Sequence, residues 1–377
     1  MRLLIILAMV AIPALCIAQD TSHCYHRLEG TIAGKDVIVN LSEDEISYYY
    51  YKDIGEPISI QVKYNPVENG DSLNVREWLS GIEPVGQWKV LLDKNGLASG
   101  VWISEDSARK GSIHLQETYP VGSYKFACYS YDDSIAELAN RIRIIAYSQS
   151  SIVIPDTSNI ETDRQFLSSQ ISQALNSLEI GDSDFDTIRR IDRRLHRLMR
   201  NYVDSLLPDM RATAGIVDPD NVRSNDQMRW GGSNSIVPRY NDKGIVVLDC
   251  FSEAYEGGAH GSHWTKMICL DVIDHRTLAL GDVTTANTET LRSLLGKFFR
   301  KKHGLKRGES LRSYLFRNEI DPNNNFFITD KGLGFHYQPY EIAPYSEGEL
   351  EVFIPFTALK GKLTPWVLNR FQISDNE

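Results

Sequence analysis

The chain has 377 residues, of which 42% are hydrophobic and 24% are charged, and its formal net charge is −10. These values are typical of a folded globular chain and exclude a disordered acidic tail and a protein made of many membrane spans. At about 150 residues per domain, the length predicts two domains or one large one. The acid excess argues against nucleic acid as a partner, because binding it depends on neutralising phosphates.

The N-terminal segment has the pattern of a secretory signal peptide. Arg2 is followed by an apolar run from Leu3 to Ile17, which is too short to span a bilayer but fits a signal-peptide core. We expect cleavage near Ala18, which would make the protein periplasmic or secreted. Lipidation at Cys16 is the alternative, although Leu15 is bulky where a small residue is needed. No later run of apolar residues is long enough to predict a membrane span in the mature chain.

Export would permit disulfide bonds. Four cysteines follow the signal peptide, at Cys24, Cys128, Cys250 and Cys269, and four cysteines allow three pairings. The last two flank a glycine-rich tip near residues 259–260, so a simple hairpin would place them opposite each other. We expect the pairs Cys24–Cys128 and Cys250–Cys269, with reduced, buried thiols as the alternative. No cysteine and histidine spacing predicts a zinc site.

Residues 19–150 predict a β-rich N-terminal module. Short alternating or β-branched runs are separated by Gly, Pro, Asn and Asp, which predicts an antiparallel meander that closes into a small barrel or a sandwich. The tyrosine run at residues 48–51 is interpreted as a strand with rings on both faces, and a sugar-stacking surface is the alternative. The Ser-rich stretch from Ser148 to Asn159 predicts a linker.

Residues 160–377 predict an α+β domain with a mostly antiparallel sheet packed against helices, because the helices and strands do not alternate regularly. We expect Gly181 and Pro208 to end the first two helices. The arginine face of the second helix is interpreted as a solvated surface paired with acids, with an anionic partner as the alternative. The predicted helices are about 167–178, 184–206, 288–303 and 309–316, and the predicted strands are about 245–255, 264–273, 326–329, 333–337 and 349–356.

The densest group of chemistry-bearing residues is the loop after the strand that ends at Tyr255. His260 and His263, with Glu253 and Glu256 nearby, have ligand types that could bind a metal. The glycines disfavour a helix, and neither an HExxH pattern nor a diagnostic third ligand is present. We therefore expect no metal, and a tight turn that His260 fixes by hydrogen bonds.

A second group lies at residues 338–348, where two prolines, two tyrosines and a glutamate form a bend. Such a bend can present a rigid surface for binding or can simply connect two strands. No nucleophile elbow, Walker loop or dinucleotide fingerprint is present, and no pair of acids marks a glycosidase. The catalytic residues are unknown and no cofactor is expected. The predicted binding residues are Tyr255, Glu256, Gly257, Gly258, His260, Gly261, His263, Tyr340, Glu341 and Tyr345.

These two groups also carry a family resemblance. The sequence Gly-Gly-Ala-His-Gly after Tyr255, then residues 278–282, 325–330 and 339–345, resembles a domain-of-unknown-function family that forms the C-terminal domain of RsiV-type lysozyme-sensing anti-sigma factors. The likeness covers about residues 245–360. The helices from about residue 160 fit the segment that usually precedes this domain, and residues 25–120 resemble, more loosely, a β-rich module of exported bacterial proteins.

The resemblance implies an exported domain with no established catalytic role. We expect a cell-envelope binding module that recognises peptidoglycan or a wall-acting protein such as lysozyme. Lysozyme is strongly basic, so the acid excess of this chain would favour its approach. One alternative is a hydrolase of envelope glycan or peptide that uses Glu256, His260 or Glu341 as acid or base. The other is a structural exported protein. The oligomeric state stays open.

Overall fold

The computed structural model describes residues 25–42, 46–79, 83–177, 188–218 and 227–374, without the side chains of residues 79, 83, 176, 177 and 188–194. The predicted signal peptide, its cleavage at Ala18, the alternative of lipidation at Cys16, and Cys24 all lie outside these residues. So do most of the side chains of the predicted arginine face, since only Arg197 and Arg200 of that face are described.

The N-terminal region is a closed antiparallel barrel of eight strands, and β8 pairs with β1 to close it. Its strands are β1 (Tyr25–Ile32), β2 (Lys35–Ser42), β3 (Ile46–Tyr51), β4 (Ile58–Val67), β5 (Gly70–Leu79), β6 (Glu83–Asp93), β7 (Leu97–Ser104) and β8 (Lys110–Glu117). Alternate side chains such as Val37 and Val39 are fully buried inside, because a strand points successive residues to opposite faces. The predicted antiparallel β module is therefore present.

A six-stranded sheet follows, with the strand order β14-β13-β12-β11-β10-β9. Its strands are β9 (Phe126–Ala139), β10 (Ile142–Pro155), β11 (Gln227–Asp242), β12 (Ile245–Tyr255), β13 (Ser262–Asp271) and β14 (Arg276–Thr277). β10 and β11 are parallel, and the other neighbours are antiparallel. Residues 126–155 thus lie in this sheet, although the sequence placed them in the N-terminal module and a linker.

Two helices connect the parallel strands, α1 (Glu161–Ser177) and α2 (Ile188–Gly215). α2 continues past Pro208, where the sequence predicted its end. Leu206, Leu207 and Met210 are buried against Ile144 of β10, so the packing of this apolar face outweighs the helix-breaking effect of proline. None of the helices in the described ranges is both long and apolar enough to cross a bilayer.

The C-terminal region adds α3 (Leu280–Val283), α4 (Thr288–Lys302) and a three-stranded sheet of β15 (Phe326–Ile328), β16 (Gly332–Tyr337) and β17 (Leu350–Pro355), followed by α5 (Pro365–Phe371). The helix predicted at residues 309–316 is absent. Only one turn forms there, because the Phe316 amide donates to the Ile342 carbonyl at 2.9 Å instead of continuing a helix. Leu311 and Leu315 nevertheless enter the core. The α+β assignment of the second region holds broadly.

The predicted Cys250–Cys269 disulfide is wrong, because both residues are buried free thiols. In the β12–β13 hairpin Cys250 lies opposite Lys266, whereas Cys269 lies opposite Val247. The cysteines are therefore three register positions apart and point to opposite faces of the sheet. Cys250 enters the core that contains α1, and Cys269 enters the core that contains β15. The other predicted pair includes Cys24 and stays a prediction.

The barrel packs directly on the six-stranded sheet. Tyr50 of β3 stacks on Tyr240 of β11 with ring centroids 5.5 Å apart. The guanidinium of Arg27 in β1 is fully buried and its Nε donates to the Asn241 carbonyl at 3.0 Å. The side-chain amide of Asn40 in β2 donates to the Arg239 carbonyl at 3.3 Å. These buried polar contacts set the position of the barrel against the sheet.

Candidate functional site

A cleft of about 1220 Å³ opens beside this contact, between the barrel, the six-stranded sheet and the segment that leads into β17. The barrel side is largely apolar, with Ile46, Ile54 and Trp78, and the sheet side is polar. Among the residues that the structure describes, seven carboxylates line the cleft, against a single lysine, Lys302. They are Glu56, Asp132, Asp249, Glu253, Glu347, Glu349 and Glu351. Its size is that of a ligand site rather than of a packing defect.

One face of the sheet gives the cleft a polar floor. Asp132, Gln149, Ser233, Glu253 and His263 occupy directly paired positions on β9, β10, β11, β12 and β13. Residues in such register share a face, so these five side chains form a polar row across five strands. Ser233 Oγ donates to Glu253 Oε1 at 2.9 Å within the row. α2 covers the opposite face of β9 and β10, which leaves the polar row open to the cleft.

A buried group of charges lies at the base of the cleft. Arg239 of β11 donates two hydrogen bonds to Glu351 of β17, with Nη1–Oε1 and Nη2–Oε2 distances of 2.8 and 2.6 Å. Its guanidinium lies over the rings of Phe327 and Tyr48, at 4.0 and 4.5 Å from their centroids. Tyr48 of the barrel donates to Asp249 of β12. The group therefore ties the barrel to both sheets, with geometry typical of strong pairs.

His336 of β16 belongs to the same group and is 2% exposed. Its Nδ1 lies 2.9 Å from Glu351 Oε1 and its Nε2 lies 3.7 Å from Glu349 Oε1. Burial opposes the charged ring, but the nearby carboxylates of Glu349 and Glu351, with the hydrogen bond between Nδ1 and Glu351, outweigh it and raise the pKa of His336 to about 9. Burial raises the pKa of Asp249 to about 6 against the opposing effects of Arg239 and Tyr48. The charged side chains at the bottom of the cleft are thus mostly paired with one another.

The two sequence-predicted groups meet at one end of the polar row. The ring of His260 stacks on Tyr345 with centroids 4.1 Å apart. The Tyr345 hydroxyl donates to the Gly261 carbonyl at 3.0 Å and lies 3.5 Å from His263 Nδ1. Tyr340 is 59% exposed and its ring centroid lies 5.5 Å from that of Tyr345. The loop and the bend therefore form one aromatic rim, of which His263 and Tyr345 line the cleft.

The remaining loop residues shape the turn. Gly257 and Gly258 have φ values of 92° and 90°, a region that side chains other than glycine rarely adopt. A Cβ on Gly257 would also lie 2.9 Å from the Trp230 ring. Tyr255 donates its hydroxyl proton to the Gly258 carbonyl at 3.1 Å. Glu256 accepts a hydrogen bond from the Tyr202 hydroxyl at 3.1 Å. None of these four residues lines the cleft among the described residues.

Glu341 has a local structural role. Its Oε1 accepts from the Asn323 side chain at 2.9 Å and its Oε2 accepts from the Gln338 amide at 2.8 Å. Within the part of the chain that the structure describes, no hydrogen bond or ion pair joins any two of Glu256, His260 and Glu341, the acid or base candidates. No described group of three or more His, Cys, Asp or Glu side chains has metal-binding geometry.

The sequence did not identify the polar row or the buried group of charges at the bottom of the cleft. One signal was available, since Asp249 stands alone between apolar residues of β12, and a lone acid in a buried strand indicates a buried partner. Arg239 and Glu351 are 112 residues apart, and no local pattern relates them. Gln149 was hidden in the stretch interpreted as a linker.

Comparison with known proteins identifies a family domain in the chain and shows which solved structure has a similar fold. A family model described as a protein of unknown function, DUF3298, matches residues 282–357. No curated protein matches the chain. The crystal structure of a DUF3298 family member from Bacteroides fragilis NCTC 9343 is 19% identical, with a TM-score of 0.54, and the alignment covers 67% of this chain and 99% of that chain. At this identity the likeness shows the fold.

A DUF3298 family protein from Pseudomonas aeruginosa PAO1 is 16% identical, with a TM-score of 0.40 and coverage of 63% of this chain and 95% of that chain. The family match confirms the predicted resemblance to a domain of unknown function at residues 282–357, within the predicted range of about 245–360. The RsiV-type context is not part of these matches. The chain carries a DUF3298 domain at residues 282–357, and its structural neighbours are DUF3298 family proteins.

Proposed function

We propose that this protein is an exported binding module of the cell envelope that takes its ligand in the cleft between the barrel and the sheet. The observation that carries the proposal is the polar row, which exposes five hydrogen-bonding side chains beside the aromatic rim. Concave sites with a few convergent polar groups and an apolar wall are typical of ligand binding. The signal-peptide pattern supports export.

Two ligands fit this cleft for different reasons. A basic wall-acting protein such as lysozyme is favoured by the carboxylates that line the cleft, because a concave acidic site attracts positive charge. Peptidoglycan is favoured by the amide and hydroxyl groups of Gln149 and Ser233 in the polar row and by Trp78 on the barrel side, since sugars are bound by such groups and by aromatic faces. A hydrolase has less support, because its three candidate residues are not joined.

The experiment is calorimetric titration of the purified mature protein with lysozyme and with soluble peptidoglycan fragments. The Ser233→Trp variant fills the middle of the polar row and should abolish binding. The matched control is Ser99→Trp, which places the same side chain on an exposed position of β7 and should bind as the unmodified protein does. Circular dichroism checks the fold of both. If neither ligand binds the unmodified protein, or if Ser233→Trp binds normally, the proposal fails.

A further inference from the structure

We propose that the ligand of the cleft is a cationic peptide segment, in which a lysine or arginine side chain pairs with the acids of the polar side and a neighbouring apolar residue packs on the barrel. This inference rests on the proposed function, since it specifies the chemistry of the ligand for the same cleft. Three observations carry it, namely unpaired acids, an unpaired buried donor and an exposed apolar wall.

The first observation is that three of the seven carboxylates have no cationic partner within the described part of the chain. Glu349 and Glu351 face His336, and Glu56 lies 3.7 Å from Lys302. Asp249 lies 3.6 Å from Arg239. The remaining three have no described lysine, arginine or histidine nitrogen within 4 Å of their oxygens. They are Asp132, Glu253 and Glu347. Because low-dielectric walls strengthen the field of like charges in a cleft, these three acids favour a cation.

The second observation distinguishes a peptide from a simple amine. His336 lines the cleft, and its buried Nε2 lies 3.7 Å from Glu349 Oε1, beyond hydrogen-bond distance, with no hydrogen-bond partner among the described residues. Unpaired buried polar groups are costly. A peptide backbone supplies a carbonyl that can accept a hydrogen bond from His336 Nε2 after a small adjustment, whereas a simple amine supplies no acceptor for the His336 proton.

The third observation is the barrel wall. Ile46 and Ile54 line the cleft and are 43% and 48% exposed, and Ile58 and Trp78 lie beside them. Exposed apolar side chains grouped in a cleft indicate a surface that a partner covers. A segment with a cationic residue next to an apolar one would satisfy both walls at once. An uncharged oligosaccharide could bind the polar row but would leave Asp132, Glu253 and Glu347 without a cation.

The test is fluorescence anisotropy with a labelled hexapeptide of alternating lysine and leucine. Asp132→Asn, Glu253→Gln and Glu347→Gln should each weaken binding by up to about fivefold, the range for a partly exposed ion pair. The triple variant should lose at least about tenfold, and raising NaCl from about 50 to about 500 mM should also weaken binding. Glu105→Gln, an exposed acid outside the cleft, is the control and should bind normally. A glutamate–leucine hexapeptide should not bind.

The outcomes separate the two proposals. If Ser233→Trp abolishes binding of lysozyme or peptidoglycan fragments but the triple variant binds them as well as the unmodified protein does, the inference is wrong and the proposed function stands. An N-acetylglucosamine oligomer that binds where the lysine–leucine peptide does not would overturn the inference in the same way. If Ser233→Trp leaves envelope-ligand binding intact, the proposed function itself fails.

Discussion

The pH dependence of stability should depend on His336. Its pKa is raised to about 9 in the folded protein, against about 6.5 in an unfolded chain. Because the folded state binds the proton more tightly, the stabilisation is complete below about pH 6.5 and is lost as pH rises through about 9. The difference in pKa corresponds to about 3 kcal/mol of unfolding free energy. In this pH window Glu351, whose pKa is lowered, stays ionised, so the ring alone titrates within this pair.

Urea denaturation between about pH 6 and about pH 9.5, monitored by tryptophan fluorescence, measures this contribution of His336 to the free energy of unfolding. The unmodified protein should lose about 3 kcal/mol more than His336→Gln across the range, because glutamine does not titrate. His275→Gln is the matched control. That histidine also has a carboxylate partner, Asp163 at 2.9 Å, but its side chain is 40% exposed. Parallel pH profiles for the unmodified protein and His336→Gln would refute the assigned role of the buried pair.

Two further predictions concern the fold. Alkylation under denaturing, non-reducing conditions should label Cys250 and Cys269, and peptide mapping that finds them joined would contradict the strand register. Gly257→Ala should lower the free energy of unfolding by about 1–3 kcal/mol, because its positive φ and its contact with Trp230 both disfavour a Cβ. Gly281→Ala is the control, because a Cβ at Gly281 would have open space around it. In thermal unfolding, Gly281→Ala should lower the stability clearly less than Gly257→Ala does. An equal loss of stability in the two variants would argue against a strained turn at Gly257.

Local patterns predicted those elements whose packing is regular along the chain. The apolar spacing of the segment at residues 288–303 predicted α4, which spans Thr288–Lys302, because one face of that helix enters the core. The strand predicted at residues 245–255 matches β12, Ile245–Tyr255. In both cases the apolar pattern reports burial directly. The loop and the bend were also found, because glycines, prolines and aromatic residues are concentrated there.

The rest depends on contacts between distant segments. β10 continues through a Ser-rich stretch that has the composition of a linker, because Ser148 and Ser150 face inward and Gln149 joins the polar row. β11 contains Gly231 and Gly232 and a register shift after Pro238, so its sequence does not have a strand pattern. The polar row exists only once five strands are in register, and no single strand shows it.

The central claim is that the cleft over the polar row is where the ligand binds. The most direct test is the calorimetric affinity for lysozyme and for peptidoglycan fragments of Ser233→Trp compared with Ser99→Trp. The proposed function predicts that at least one of these ligands binds the Ser99→Trp protein and that Ser233→Trp binds neither. Equal affinities of the two variants for a ligand that binds would contradict the claim, because a tryptophan in the middle of the polar row cannot coexist with a ligand there.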